Sequence, residues 1–304
     1  MIEFLHGNLS YFLSGISVGG QYALIAIGYT MVYGILRLIN FAHGDVFMVA
    51  GLAMVYFSAS LPFWMSIPLV LVITVILGFL IERVAYAPLR QAPRMSVMIS
   101  AIGVSYLLQN AALYFTGGLA KVYPEIPFLS RSVVIWGATT RMVTVVTPFL
   151  TIILVIVLNA LIKHTKIGMA MRAVSRDFET SQLMGVKINS VISMTFVIGS
   201  FLAAIASLLY FTNYASVVPT SGAMPGLKAF VAAVFGGIGS IPGAVIGAFI
   251  IGICENIIKG GASIFGIAST GWTTFSDAFT FLFLIVVLIV KPTGLFGEKA
   301  VDKV

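Results

Sequence analysis

The sequence predicts an all-α fold, a polytopic helical membrane protein of about eight or nine transmembrane helices, and three observations carry that prediction. Of the 304 residues 60% are hydrophobic and only 9% are charged, whereas soluble domains carry about 25% charged residues. Mean hydropathy is +1.08, and there is too little polar surface to cover a water-soluble exterior. Apolar runs that can cross the roughly 30 Å hydrocarbon layer as helices recur along the chain. They are continuously apolar rather than alternating, which excludes a transmembrane barrel.

Taken in order, the apolar segments fall near residues 8–33, 46–63, 65–82, 96–115, 143–161, 191–211, 227–240, 242–258 and 277–290. The opening residues MIEFLHGNLS hold Glu3 and no Lys or Arg, so the first apolar run is expected to be retained rather than cleaved as a signal. The pair 227–240 and 242–258 is short and joined only by SIPG; either both segments span, or one is re-entrant. Basic residues set the orientation. With the N-terminus outside and the C-terminus inside, the inner segments hold Arg37, Arg83, Arg90, Arg94, Lys163, Lys166, Arg172, Arg176, Lys187, Lys291, Lys299 and Lys303, which is 12 of 17. Lys121, Arg131, Arg141, Lys228 and Lys259 stay outside, and an odd number of crossings is required. The chain reads as one transmembrane domain, 1–304. Cys254 is the only cysteine, so no internal disulfide can form.

Several chemistries are excluded. There is no G-x-x-x-x-G-K-[ST] phosphate loop and no H-E-x-x-H, so neither ATP hydrolysis by that route nor a metal or catalytic site is expected. The net charge of +7 is a matter of membrane topology, not of nucleic-acid binding. No span pairs a carboxylate with a basic residue as proton-driven carriers do. Glu255, Asn256 and Asp277 are expected to snorkel or cap at helix ends.

Two loops and two motifs remain. The outer loop 117–141, with Tyr123, Pro124, Pro127 and Trp136, is expected to pack over the outer mouth. In the inner loop 163–190, Met171, Val174 and Phe178 recur at helical spacing between Gly168 and Gly185, with Arg172, Arg176, Asp177 and Glu179 on the other positions. This is a short amphipathic helix, broken near Ser175 and stopped at Gly185. Lipid headgroups or a groove on a partner protein would each accept it. The motif LRLINFAHGDVF, residues 36–47, puts Asn40, His43, Gly44 and Asp45 at the predicted inner mouth. Asn40 and Gly44 suit a turn and Asp45 suits a helix cap, whereas His43 suggests a gate or a partner contact. Gly239, Gly243 and Gly247, continued by Ala248 and Gly252, form a small-residue face like that of Gly15 and Gly19. Packing within one subunit is the first reading of these faces and a subunit interface the second. Pro242 is expected to break a helix and free carbonyls toward a path.

Four blocks together carry a family resemblance: YALIAIGYTMVYGILRLINFAHGDVFMVAG (22–51), MAMRAVSRDFETSQLMGV (169–186), GLKAFVAAVFGGIGSIPGAVIGAFIIG (226–252) and KPTGLFG (291–297). They resemble the LivH-type inner-membrane permeases of branched-chain amino acid ABC importers. The resemblance implies a non-enzymatic transport subunit completed by a LivM-type permease chain, two cytoplasmic LivG- and LivF-type ATPases and a periplasmic binding protein. ATP and magnesium would reside on the ATPases, so the chain itself needs no cofactor. It also implies that the 163–190 segment docks on an ATPase through Arg172, Arg176, Asp177, Glu179 and Gly185. Related permeases carry urea, amides or other amino acids, and a stand-alone carrier is the reading outside this family.

Overall fold

In the computed structural model, which describes residues 2–90, 92–135, 137–264, 276–291 and 293–297, the chain packs around its own first helix. That helix is α1 (Ile2–Leu36), followed by α2 (His43–Ser58), α3 (Phe63–Ile81), α4 (Arg94–Thr116) and α5 (Met142–His164). Then come α6 (Lys166–Arg176), α7 (Phe178–Leu183), α8 (Ile188–Asn213), α9 (Ala223–Gly236), α10 (Ile241–Ile264) and α11 (Ser276–Val290). Among the described residues six helices are long and apolar enough to cross a membrane, and α2, α9 and α11 are shorter apolar helices. The polytopic helical class is therefore correct, but three of the expected spans are too short to cross alone. The 16 residues of α2 and 14 of α9 rise only about 24 and 21 Å at 1.5 Å per residue. Trp136, Pro292, Lys299 and Lys303 lie outside the described residues.

Glycines let the central helices touch. α1 packs most extensively against α10, with Gly15 against Ile253, Gly19 against Phe249 and Gly252 against the backbone of Gly19. α10 then packs on α9 through Gly243 against Gly236 and Gly247 against Ala232. In lipid there is no water to expel, so such close backbone approach is what holds helices together. The two small-residue faces thus meet inside one chain. Two expectations change here. Gly239 is not part of the face: it sits in the turn before α10 at φ +97° with nothing near it. Pro242 does not break a helix but lies in the first turn of α10, where a missing N–H costs nothing. Ser240 caps that turn, accepting from the Gly243 N–H at 3.3 Å.

α2 and α9 begin at the same place and run apart. Gly44 lies against Gly222 and Gly226, so the two starts meet backbone to backbone. His43 sits over Gly28 of α1, two turns above the end of that helix, or about 12 Å. From there α2 climbs toward the 117–141 loop, where Tyr56 Oη donates to the Phe115 carbonyl at 2.9 Å. α9 descends to the C-terminal segment, whose Leu295 and Phe296 amides donate to the carbonyls of Phe235 and Gly236 at 2.9 and 3.0 Å. Arg37, at φ 55°, ends α1 in the left-handed region before the chain turns back to α2.

The α3 helix closes through a π-helical turn, Glu82–Tyr86, and a 3₁₀ turn, Ala87–Leu89. Pro88 cannot continue the α ladder, and Ser100 Oγ donates to the free Ala85 carbonyl at 3.0 Å. The 117–141 loop holds strand β1 (Lys121–Val122) and the hairpin β2 (Ser132–Ile135) and β3 (Ala138–Arg141). β1 pairs antiparallel with β4 (Ser216–Val217), just beyond α8. Tyr123 is buried against Phe211, ring centroids 5.8 Å apart, and Arg141 donates to the carbonyls of Thr212 and Asn213 at 2.9 and 3.2 Å. The loop therefore clamps the end of α8 and the segment leading into α9.

A Cβ at Gly252 would enter the backbone of Gly19, whereas one at Gly103 in α4 meets nothing. Gly252→Ala should destabilise the protein by about 1–3 kcal/mol. Gly103→Ala should be neutral or gain up to about 1 kcal/mol from helix propensity. Thermal unfolding in detergent, read by tryptophan fluorescence, checks both.

Candidate functional site

The motif at 36–47 is inside the bundle, not on a rim. Asn40, His43 and Asp45 are all buried, and of the polar residues in the motif only Arg37 is exposed. Tyr86, turned inward by the π-helical turn, donates to Asn40 Oδ1 at 2.8 Å, and the Asn40 carbonyl accepts the His43 amide at 3.1 Å. Asn40 is thus the turn residue it was expected to be. His43 is a core residue: its ring fills the notch left by Gly28 and Gly199 and meets Tyr29 edge-on, centroids 5.0 Å apart. That burial leaves His43 no surface for a partner contact.

Asp45 does not cap α2, because no side chain bonds the free amides at that helix start. Its carboxylate points across to α4, where Ser105 Oγ donates to Oδ2 at 2.5 Å and Gln109 Nε2 to Oδ1 at 3.0 Å. These groups line a cavity of about 420 Å³ between α2, α4 and the start of α9. Gly44, Gly222 and Gly226 lie on its wall, which is what their missing side chains leave open. Tyr29, Phe41, Ile102, Tyr106, Leu227 and Phe230 supply the apolar remainder.

The amphipathic segment 163–190 is an elbow of two helices. Thr165 caps α6, accepting from the Gly168 N–H at 3.1 Å. Asp177 caps α7, accepting from the Thr180 N–H at 3.0 Å and its hydroxyl at 2.8 Å. The break falls at Asp177, close to the expected Ser175, and Gly185 stops α7 at φ +82°. Gly168, Met171 and Val174 face inward, while Arg172, Arg176 and Glu179 are exposed. Asp177 shapes the elbow. Sequence reasoning chose the charges and missed the apolar tip: Leu183 and Met184 are 87% and 80% exposed. Their position just before a helix-stopping glycine, off the buried periodicity, was the available signal. Glu82, fully buried, accepts from Arg90 and from Ser193 Oγ, the latter at 2.6 Å. Arg90 also reaches Asn189, tying the end of α3 to the start of α8 beside the elbow.

The expectation that no span pairs carboxylate with base is overturned. Lys228 of α9, 5% exposed, bonds Glu255 of α10 and Asp277 of α11, each at 2.6 Å. Lys259 reaches the same Glu255 oxygen at 2.5 Å, and Tyr22 of α1 donates to the other at 3.1 Å. Glu255 is 1% exposed, so neither it nor Lys228 snorkels or caps, and Lys228 is no outer-loop charge. Asn256 bonds the Gly252 carbonyl at 2.9 Å within its own helix. Two lysines and two carboxylates balance, so the cluster is a clasp across four helices. Removing one partner strands a buried charge: Lys228→Met or Glu255→Gln alone should cost about 3–5 kcal/mol. The combined Lys228→Met, Glu255→Gln variant should recover about 1 kcal/mol or more of the summed loss. Thermal unfolding of the three variants in detergent checks this cycle.

Comparison with known proteins agrees with this architecture. The family described as "Branched-chain amino acid transport system / permease component" matches residues 11–289. BraD of Pseudomonas aeruginosa, a high-affinity branched-chain amino acid transport system permease protein, is 40% identical over 318 residues, covering 100% of both chains. LivH of Escherichia coli K12, described in the same words, is 38% identical and covers 97% of each. A probable branched-chain amino acid transport permease protein LivH of Methanocaldococcus jannaschii is 28% identical over 90% of this chain and 88% of its own length. With six long apolar helices and a match across nearly its whole length, this multi-pass membrane chain belongs to the LivH-type branched-chain amino acid permease family.

Proposed function

We propose that the chain is the permease subunit of an ABC importer and forms part of the translocation path for Leu, Ile and Val. The observation that carries this reading is the full-length similarity, at 38–40% identity, to permeases of high-affinity branched-chain amino acid transport. On this reading residues 1–304 form one permease domain in the bacterial inner membrane, N-terminus outside and C-terminus cytoplasmic. A LivM-type chain completes the permease, LivG- and LivF-type ATPases bind ATP and magnesium, and a periplasmic protein delivers the solute. The chain has no catalytic role and no nucleic-acid partner.

The α6–α7 elbow is the surface proposed to seat an ATPase. Arg172, Arg176 and Glu179 frame it, and Leu183 and Met184 form an apolar tip that suits a groove on a soluble partner. The elbow borders the end of α1. Phe178 of α7 lines a space of about 240 Å³ with Leu36, Tyr86 and Arg90; Tyr86 bonds Asn40; and Asn40 bonds the start of α2. Displacement of the elbow by ATP-driven closure would thus bear on the Gly44 contact with α9, and alternating access follows as rigid-body movement.

The test is a gentle-detergent pull-down of the tagged permease expressed with its partners. The wild type should retain two ATPases and a second permease. Arg172→Glu with Arg176→Glu, and separately Leu183→Ser with Met184→Ser, should each weaken ATPase retention by about tenfold or more, with membrane level and melting temperature unchanged. Isolation of the chain alone, moving solute into liposomes without ATP, would overturn the importer reading.

A further inference from the structure

Three carboxylates are buried among the described residues, Asp45, Glu82 and Glu255. Glu82 is held by Arg90 and Glu255 by two lysines. No cation among the described residues pairs with Asp45, whose only partners are the neutral Ser105 and Gln109. An ionised carboxylate removed from water is costly unless paired, and one inside a helical bundle marks a solute path more often than a structural need. A carboxylate offers about four acceptor positions, of which two are taken here, so it can still receive an N–H donor. Asp45 lines the 420 Å³ cavity with only 2% of its surface exposed, so its carboxylate sits in the cavity wall, out of contact with bulk water.

We propose that this cavity is a solute-binding station on the path, and that Asp45 receives the ammonium group of the passing amino acid. The proposal rests on the permease reading above and adds to it a place and a recognition chemistry. Ser105 and Gln109 hold the carboxylate in position through hydrogen bonds to both oxygens. Phe41, Ile102, Leu227 and Phe230 offer the apolar wall that a branched aliphatic side chain needs, without the tight enclosure that would trap it. Ile102, Tyr106 and Leu227, exposed on the surface of this chain, bound the open side of the cavity. On the permease reading, this open side is where a second permease chain would close the path around the solute. The chemistry selects against anions and uncharged solutes and leaves finer discrimination among aliphatic side chains to contacts elsewhere.

Two measurements on the full complex test this. In proteoliposomes with binding protein and ATP, Asp45→Asn should lower L-leucine uptake about tenfold or more, the loss of one charge-assisted hydrogen bond. The variant should keep its membrane level, its melting temperature and its co-purifying ATPases, which a misfolded variant would not preserve. Independently, in a Cys254→Ser background, Ile102→Cys should react with a small maleimide, and L-leucine should slow that reaction. The same carbon skeleton without its ammonium, 4-methylpentanoate, should not slow it, and adding Asp45→Asn should abolish protection by leucine. Leucine uptake by Asp45→Asn within about twofold of wild type, or protection that survives Asp45→Asn, overturns the proposal. A wild-type complex that drives uptake of another solute but not leucine would instead overturn the substrate reading, and the proposal with it.

Discussion

The fold depends on one constraint: backbone that leaves its helix inside a membrane protein must be covered by other protein. Residues 38–42 and 217–219, buried or half-buried, are such backbone, because α2 and α9 both begin well inside the bundle. α1, α8 and α10 supply the cover, and they can do so only by approaching closely, which the glycines of α1 and α10 permit. The loop after α4 serves the same need from the other side. It pairs β1 with β4 and delivers Arg141 to the last carbonyls of α8. The C-terminal segment does likewise for α9, donating two amides to its final turn. Elements far apart in sequence thus answer a single requirement.

Charge inside the bundle is handled in two ways. The Lys228, Glu255, Lys259 and Asp277 clasp is neutral in itself and ties α9, α10 and α11 together, with Tyr22 adding α1. Such a group resists separation, since each ion left behind would be uncompensated. Asp45 is the contrary case, positioned by neutral donors and left without an internal counter-charge. One arrangement fixes helices; the other leaves an electrostatic vacancy facing a cavity.

The helical class and the apolar segments were legible because each apolar run carries its own signal, independent of the rest of the chain. The elbow was legible too, since the spacing of Met171 and Val174 and the stop at Gly185 are local. What escaped the sequence was everything made by distant pairing. Asp45 followed a turn and read as a cap, and nothing nearby pointed to Ser105, sixty positions on. Lys228, at the edge of an apolar run, read as a loop charge because Glu255 lies on another helix. Pro242 read as a breaker because the hydropathy pattern placed it between spans, whereas a proline in a first turn begins a helix. His43 was the most conspicuous residue of its motif, and it answers to Gly28, a residue with no side chain to advertise the fit.

The meeting of Gly44 with Gly222 and Gly226 bears on movement. A barrier closed by side chains opens whenever they change rotamer, on the picosecond to nanosecond scale for exposed groups. Here the contact is main chain against main chain, beside the imidazole wedged over Gly28, and no rotamer change can part it. Only movement of whole helices can, and such motions run on the microsecond to millisecond scale. The starts of α2 and α9 therefore part with their helices or not at all.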